Sequence, residues 1–248
     1  MGKLSGKTIV VAGATGDIGG ELAISLLAEG ALVIGVGRNA DKLAALEEKG
    51  IHARLTDCSD PVDVLLMLQA TYQKFGKPDA LITSVGTWRE MRVDSEVSKF
   101  SSQLTIDLDS IVKAAIIPIF AFNQFFSNRG GGFMADITSH AAEGPLPGNL
   151  TYATGKAAVK MFIDNLREEN DPEEKLREGI SSGIRITRII AQLVDTPKNR
   201  LDPRGKDLTD EDWQGAVQIR NIARFISNNI DNVNAPPEQF FESKIIFP

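Results

Sequence analysis

Gly13-Ala-Thr-Gly16-Asp-Ile-Gly19 follows directly on an apolar, β-branched run, Thr8–Ala12, and leads directly into a stretch of helical periodicity, Ile18–Glu29. No other feature restricts the chain as strongly. Gly13 can make a tight turn, Gly16 lets main chain approach a pyrophosphate, and Gly19 lets the helix pack on the strand. The helix start then offers free N–H groups and the positive end of its dipole to an anion. The competing account is an ordinary glycine-rich turn, against which the strand before and the helix after both weigh. Thr15, Asp17 and Ile18 share the loop and join Gly13 and Gly16 as candidates for holding a dinucleotide.

The rest of the chain repeats the same alternation. Leu32–Val36, Ile51–Leu55, Ala80–Ser84, Gly132–Thr138, Ile184–Ile190 and a short closing run, Lys244–Phe247, read as strands. Between them Ala40–Lys49, Val62–Phe75, a long stretch over Glu96–Ser127, Tyr152–Glu169 and a segment near Trp213–Asn228 read as helices. Strands spaced by helical stretches imply βαβ units and a parallel sheet. Strands that are nearly continuous apolar runs imply helices on both faces. The expected fold is α/β: one Rossmann-like, doubly wound domain over residues 1–248, with a seven-stranded parallel sheet and its ligand at the carboxyl ends of the strands.

Composition removes other classes. With 248 residues, 42% hydrophobic and 24% charged, the chain is an ordinary globular one. A net charge of −6 gives no general attraction for phosphate backbones or anionic lipid, so neither nucleic acid nor membrane is an expected partner. One cysteine, Cys58, excludes internal disulfides, and with only two histidines, His52 and His140, no metal site is expected. The N-terminal residues lack an apolar signal stretch. Ile111–Phe126 is interrupted by Lys113, Pro118, Asn123 and Gln124, so it reads as a buried or interfacial helix. A cytoplasmic location fits these features.

The second strand ends in Val36-Gly37-Arg38-Asn39. A carboxylate there would hold an NAD ribose diol. Arg38 suits a 2′-phosphate instead, unless it is simply a solvated loop arginine, and NADP(H) is therefore favoured over NAD(H). Further along, Tyr152 and Lys156 stand four apart on one helical face, and Ser139 lies 13 residues upstream of Tyr152 at a strand end. A phenol is a poor acid or base at neutral pH, and a nearby ammonium favours its phenolate. A serine hydroxyl can hydrogen-bond a substrate oxygen while the tyrosine gives or takes the proton as hydride moves.

With these residues in place, the chain resembles a short-chain dehydrogenase/reductase along essentially its whole length. The family pattern is a TGxxxGxG or TGxxGxxG loop, an acidic residue after the third strand, NNAG after the fourth, an Asn in the long helix, a Ser, YxxxK, and a PG segment after the sixth strand. The glycine loop follows the second form, with Ala12 in place of Thr. The resemblance implies catalytic roles for Ser139, Tyr152 and Lys156, with Lys156 also on the nicotinamide ribose, Asp57 at the adenine, Thr196 at the carboxamide, and Cys58 and Val194 among the cofactor-binding residues. It also implies a homodimer or homotetramer. Thr83-Ser84-Val-Gly86 replaces NNAG, Asp107 stands for the helix Asn, and Ala191-Gln192 replaces PG. Ser84 and Gly86 remain cofactor candidates, and Asp107 can accept a hydrogen bond from a relay water but cannot copy the amide's donors. These departures mark a divergent member.

Trp88 and His140 could line the substrate pocket, or be ordinary packing and a surface histidine. The polar stretch Asp195–Asp212 matches a substrate lid, and its Lys198, Arg200, Arg204 and Lys206 could attract an anion or simply face water. The leading function is an NADP(H)-dependent oxidoreductase acting on a small-molecule carbonyl or alcohol. The alternative is a nucleotide sensor or structural protein that kept the fold and lost efficient chemistry.

Overall fold

The computed structural model describes residues 2–127, 129–170, 183–201, 208–209, 213, 217–232, 235–236 and 238–241. The described residues form seven strands: β1 (Thr8–Ala12), β2 (Leu32–Gly37), β3 (His52–Leu55), β4 (Ala80–Thr83), β5 (Gly132–Ser139), β6 (Ile184–Ala191) and β7 (Glu238–Phe241). They form one sheet in the order β3-β2-β1-β4-β5-β6-β7, and every pairing is parallel. The expected doubly wound, Rossmann-like α/β architecture is therefore what the chain adopts. The order reverses between β1 and β4, which opens a crevice at their carboxyl ends.

Helices α1 (Asp17–Ala28), α2 (Ala40–Glu47), α3 (Pro61–Phe75), α4 (Val97–Asp107), α5 (Ala114–Ser127), α6 (Leu150–Glu169), α7 (Pro197–Leu201) and α8 (Ile219–Asn229) accompany the sheet. Alternation along β1 divides its side chains between two apolar layers. Ile9 and Val11 join Leu22 and Leu26 of α1, Leu43 and Leu46 of α2 and Ile222 and Ile226 of α8. Val10 and Ala12 join Met67 of α3, Phe122 and Phe126 of α5 and Val159 and Ile163 of α6. Helix starts follow local chemistry: the Asn39 side chain accepts from the Lys42 N–H to cap α2, and Asp60 accepts from the Val62 and Asp63 N–H groups, with Pro61 opening α3.

The expected long helix runs over Val97–Ser127, with a π turn, Leu108–Lys113, between α4 and α5. Pro118, one turn into α5, has no N–H to give the Ala114 carbonyl. The last helix starts at Ile219 rather than near Trp213, and the last described strand is Glu238–Phe241; Lys244–Phe247 lies outside the described residues. Among the described residues, no helix is long and apolar enough to cross a membrane.

Candidate active site

The glycine loop turns tightly between β1 and α1. The Gly13 and Ala14 N–H groups both donate to the Val36 carbonyl at 3.0 Å, and Gly16 N–H donates back to the Gly13 carbonyl at 2.9 Å. Gly13 has φ +86°, and a Cβ there would stand 2.3 Å from the Ser84 carbonyl oxygen. A Cβ on Gly19 would stand 2.3 Å from the Gly13 carbonyl oxygen. These glycines are thus required by close packing of α1, β1 and the β4 exit. No side chain caps α1 at Gly16, so the N–H groups of its first turn have no intrahelical acceptor. Thr15 lies against Gly37, at the end of β2. The cradle fits a pyrophosphate by shape and by unpaired donors.

At the other end of this crevice Arg38 and Asp57 face each other, 3.9 Å apart, both substantially exposed. Asp57 also accepts from the Ser59 N–H (2.9 Å) and hydroxyl (2.7 Å). Partial burial works against the charge, but the Ser59 hydrogen bonds and Arg38 hold the carboxyl below its ordinary value. Cys58 is buried among the second layer, where desolvation, helped by the Asp57 charge, pushes its thiol up to about 12. Its side chain therefore faces the core. Lys42, from the first turn of α2, stands 3.8 Å from Asp17.

Lys156 is 3% exposed. Its ammonium donates to the Val85 carbonyl at 3.0 Å and the Ile137 carbonyl at 3.5 Å, which ties α6 to the ends of β4 and β5. Ser139 closes β5 and accepts from the Ala141 N–H at 3.2 Å, capping the short 3₁₀ turn His140–Ala142. That turn packs on α6. Tyr152, half-buried, packs against the second layer one turn before Lys156. Ser139, Tyr152 and Lys156 are thereby gathered at the carboxyl end of the sheet.

Beneath them lies a group that sequence reasoning missed. Asp136, fully buried in β5, accepts the Thr83 hydroxyl at 2.5 Å, and its second carboxyl oxygen has no hydrogen-bond partner. Burial pushes this carboxyl up, against the opposing pull of Lys156, the Thr83 hydroxyl and Arg188. A charged residue inside the apolar run Gly132–Thr138 was the available signal. Asp107, 1% exposed, accepts from the Gln103 amide at 2.8 Å. The π turn that begins after it carries Ile111 against both Gly86 and Gly155.

The outer residues divide. Trp88 is half-buried and its indole N–H donates to Asn149, the N-cap of α6; Met91 N–H donates to the Gly148 carbonyl at 2.8 Å beside it. Trp88 thus fastens the β4–α4 connection to the entrance of the helix carrying Tyr152. His140 is exposed. The Val194 carbonyl accepts the Asn199 side-chain amide at 2.8 Å, and the Thr196 hydroxyl accepts the Asn199 N–H at 3.1 Å. Arg200 is paired in two-point fashion with Asp195 (2.7 and 2.9 Å) and lies over Trp213, 5.2 Å from the ring. Its charge is paired with Asp195. The Arg200 hydrogen bonds, with Gln218 assisting, hold the Asp195 carboxyl below its ordinary value. Lys198 is exposed; Arg204 and Lys206 lie outside the described residues.

The family model described as short chain dehydrogenase matches residues 7–205. An uncharacterised oxidoreductase of Staphylococcus haemolyticus is 26% identical over 243 residues, covering 96% of this chain and all of the relative. A short-chain type dehydrogenase/reductase from Mycobacterium ulcerans superimposes with a TM-score of 0.80 at 19% identity, over 96% of this chain and 88% of that one. L-sorbose reductase from Gluconobacter frateurii, solved with NADPH and L-sorbose, gives 0.76 at 22% identity over 98% and 97%.

Proposed function

The chain belongs to the short-chain dehydrogenase family and is an oxidoreductase, and from that premise we propose that it moves a hydride between NADP(H) and a carbonyl/alcohol pair, with Tyr152 as general acid and base. The observation that carries this reading is the buried Lys156 ammonium, fixed by the Val85 and Ile137 carbonyls one turn from Tyr152 and beside the Ser139 strand end. When bound, the nicotinamide supplies the hydride chemistry. The chain's part is to bind, orient and move a proton. Gly13, Gly16 and the free N–H groups of α1 hold the pyrophosphate. Ser139 Oγ, one lone pair engaged by Ala141 N–H, keeps its proton to donate to the substrate oxygen. Tyr152 Oη exchanges a proton with that oxygen, and Lys156 stands one helical turn away with its ammonium held by the Val85 and Ile137 carbonyls.

Arg38 supports NADP(H) over NAD(H): a guanidinium at the end of β2 can pair with a 2′-phosphate, and Asp57, 3.9 Å away, orients it. The NADPH held by L-sorbose reductase is consistent with this choice. The substrate would enter between Trp88 and the stretch after β6. A homodimer or homotetramer in the cytoplasm completes the proposal.

The second reading, a nucleotide sensor with little turnover, draws support from Asn199, which engages both the Val194 carbonyl and the Thr196 hydroxyl. NADPH oxidation against a panel of ketones and aldehydes separates the two, with Tyr152→Phe as control. Turnover by the wild type alone supports the oxidoreductase mechanism. Equal inertness with intact NADPH binding supports the sensor.

A further inference from the structure

Arg188 stands in the middle of β6 and is fully buried, at a strand position where an apolar side chain would be the ordinary choice. A guanidinium keeps its charge in proteins, so it must be compensated on the spot. Three carboxylates from three separate elements do so. Nη1 lies 2.6 Å from Glu143 Oε1, Nε lies 3.3 Å from Asp164 Oδ1, and Nη2 bonds to Glu238. Glu143 ends the 3₁₀ turn that follows Ser139, and its own N–H donates to the His140 carbonyl at 3.0 Å. Asp164 belongs to α6, two turns beyond Lys156, and is held there by Lys160 (2.7 Å) and Arg167 (3.0 Å). Glu238 belongs to the edge strand β7.

We propose that Arg188 is a positioning residue, which acts through Glu143 to fix the turn behind Ser139 against the helix that carries Tyr152 and Lys156. The mechanical path is short. Within three residues the turn holds both the Ala141 N–H that engages Ser139 Oγ and the backbone bond that ends at Glu143. If Glu143 is released, the Ala141 donor loses its anchor and the Ser139 hydroxyl loses its set orientation. Asp164 is the other arm of the clamp, by an ion pair without a hydrogen bond, so one guanidinium references the strand end to the helix. The catalytic significance rests on the oxidoreductase reading above; the clamp itself does not.

Removing one member of a buried ion cluster can prevent folding, so Arg188→Met is paired with milder variants of Glu143, whose side chain is 18% exposed. Glu143→Ala removes the acceptor, while Glu143→Gln keeps an oxygen for Nη1. The first arm is amide hydrogen exchange on the NADPH-bound protein. Glu143→Ala should speed exchange at Ala141 by about tenfold or more while β1 and α1 stay protected, and Glu143→Gln should restore it. The second arm follows benzil reduction with NADPH: Glu143→Ala should lower kcat by about tenfold or more with NADPH affinity and KM unchanged, again rescued by Glu143→Gln. Unchanged Ala141 exchange overturns the clamp. So does faster exchange spread over the whole sheet, whereas full kcat in a variant whose Ala141 has lost protection overturns the positioning role. If the wild type leaves benzil untouched, that result counts against the oxidoreductase reading with this ketone, and the exchange arm alone decides the clamp.

Discussion

Ile111 fills the space that a side chain on Gly155 would need: its Cγ2 stands 3.3 Å from where a Cβ would sit. The same side chain reaches within 3.1 Å of a Cβ built on Gly86. One isoleucine therefore wedges the β4 turn against the helix turn between Tyr152 and Lys156. Gly155→Val should overpack this contact and destabilise the protein by about 1–3 kcal/mol, read from urea unfolding. It should also lower turnover, since Lys156 lies on the displaced turn. A variant as stable and as active as the wild type would show that Ile111 yields freely.

Tyr152→Phe removes the only proton-exchanging group that the proposal assigns to the substrate oxygen. The rate should fall by roughly 10²–10⁴. NADPH affinity should hold, because the glycine loop and Arg38 are untouched. A variant that keeps more than a tenth of wild-type turnover, a margin of about 1.4 kcal/mol in the barrier, would remove Tyr152 from the chemistry.

Arg38→Ala tests the cofactor choice. Losing a charge-assisted pair to a 2′-phosphate should weaken NADPH by about tenfold, roughly 1.4 kcal/mol, and leave NADH where it was. Titration of both cofactors by nicotinamide fluorescence reads the ratio. An unchanged ratio would make Arg38 a solvated loop residue.

The elements were largely legible because their boundaries are written in local chemistry: the glycine turn before α1, Asp60 and Pro61 before α3, and β-branched runs between. The π turn after Asp107 was not, since nothing in Leu108–Lys113 distinguishes it from an α-helical stretch; it packs on α6, whose residues lie far along the chain. In the site, Ser139, Tyr152 and Lys156 could be named from spacing. Thr83, Asp136, Asn149 and Arg188 could not, because their partners come from strands and helices distant in sequence. The charges at Asp136 and Arg188 inside apolar strands were visible, but only the sheet register sets them side by side.

Asp136 gives stability a pH dependence of definite sign. Its carboxyl is raised in the folded protein, so the native state prefers the protonated form. That contribution is complete below the ordinary aspartate value of about 3.9 and is lost as pH rises through the folded value. Asp136→Asn, which still accepts the Thr83 hydroxyl, should therefore gain in Tm relative to wild type as pH rises from acid toward neutral. A difference that is flat or shrinks with pH would mean the carboxyl is ionised throughout.

Cys58 should be inert. With its thiol pushed up to about 12 and the side chain buried, almost no thiolate exists at mildly alkaline pH. Iodoacetamide should label the urea-unfolded chain and leave the native one unmodified by mass spectrometry. Rapid native labelling would place the thiol at the surface.

A wide turn in a helix also absorbs a residue. Each residue of an ordinary helix advances the side chains by about 100°, and in the wide stretch Leu108–Lys113 each advances them by only about 80°. Six wide residues thus turn through nearly the same angle as five ordinary ones, so dropping one there would give an ordinary helix with Phe122 and Phe126 still facing the sheet. Relatives that share the cleft should accordingly include chains one residue shorter across these six positions, with an uninterrupted α-helix there.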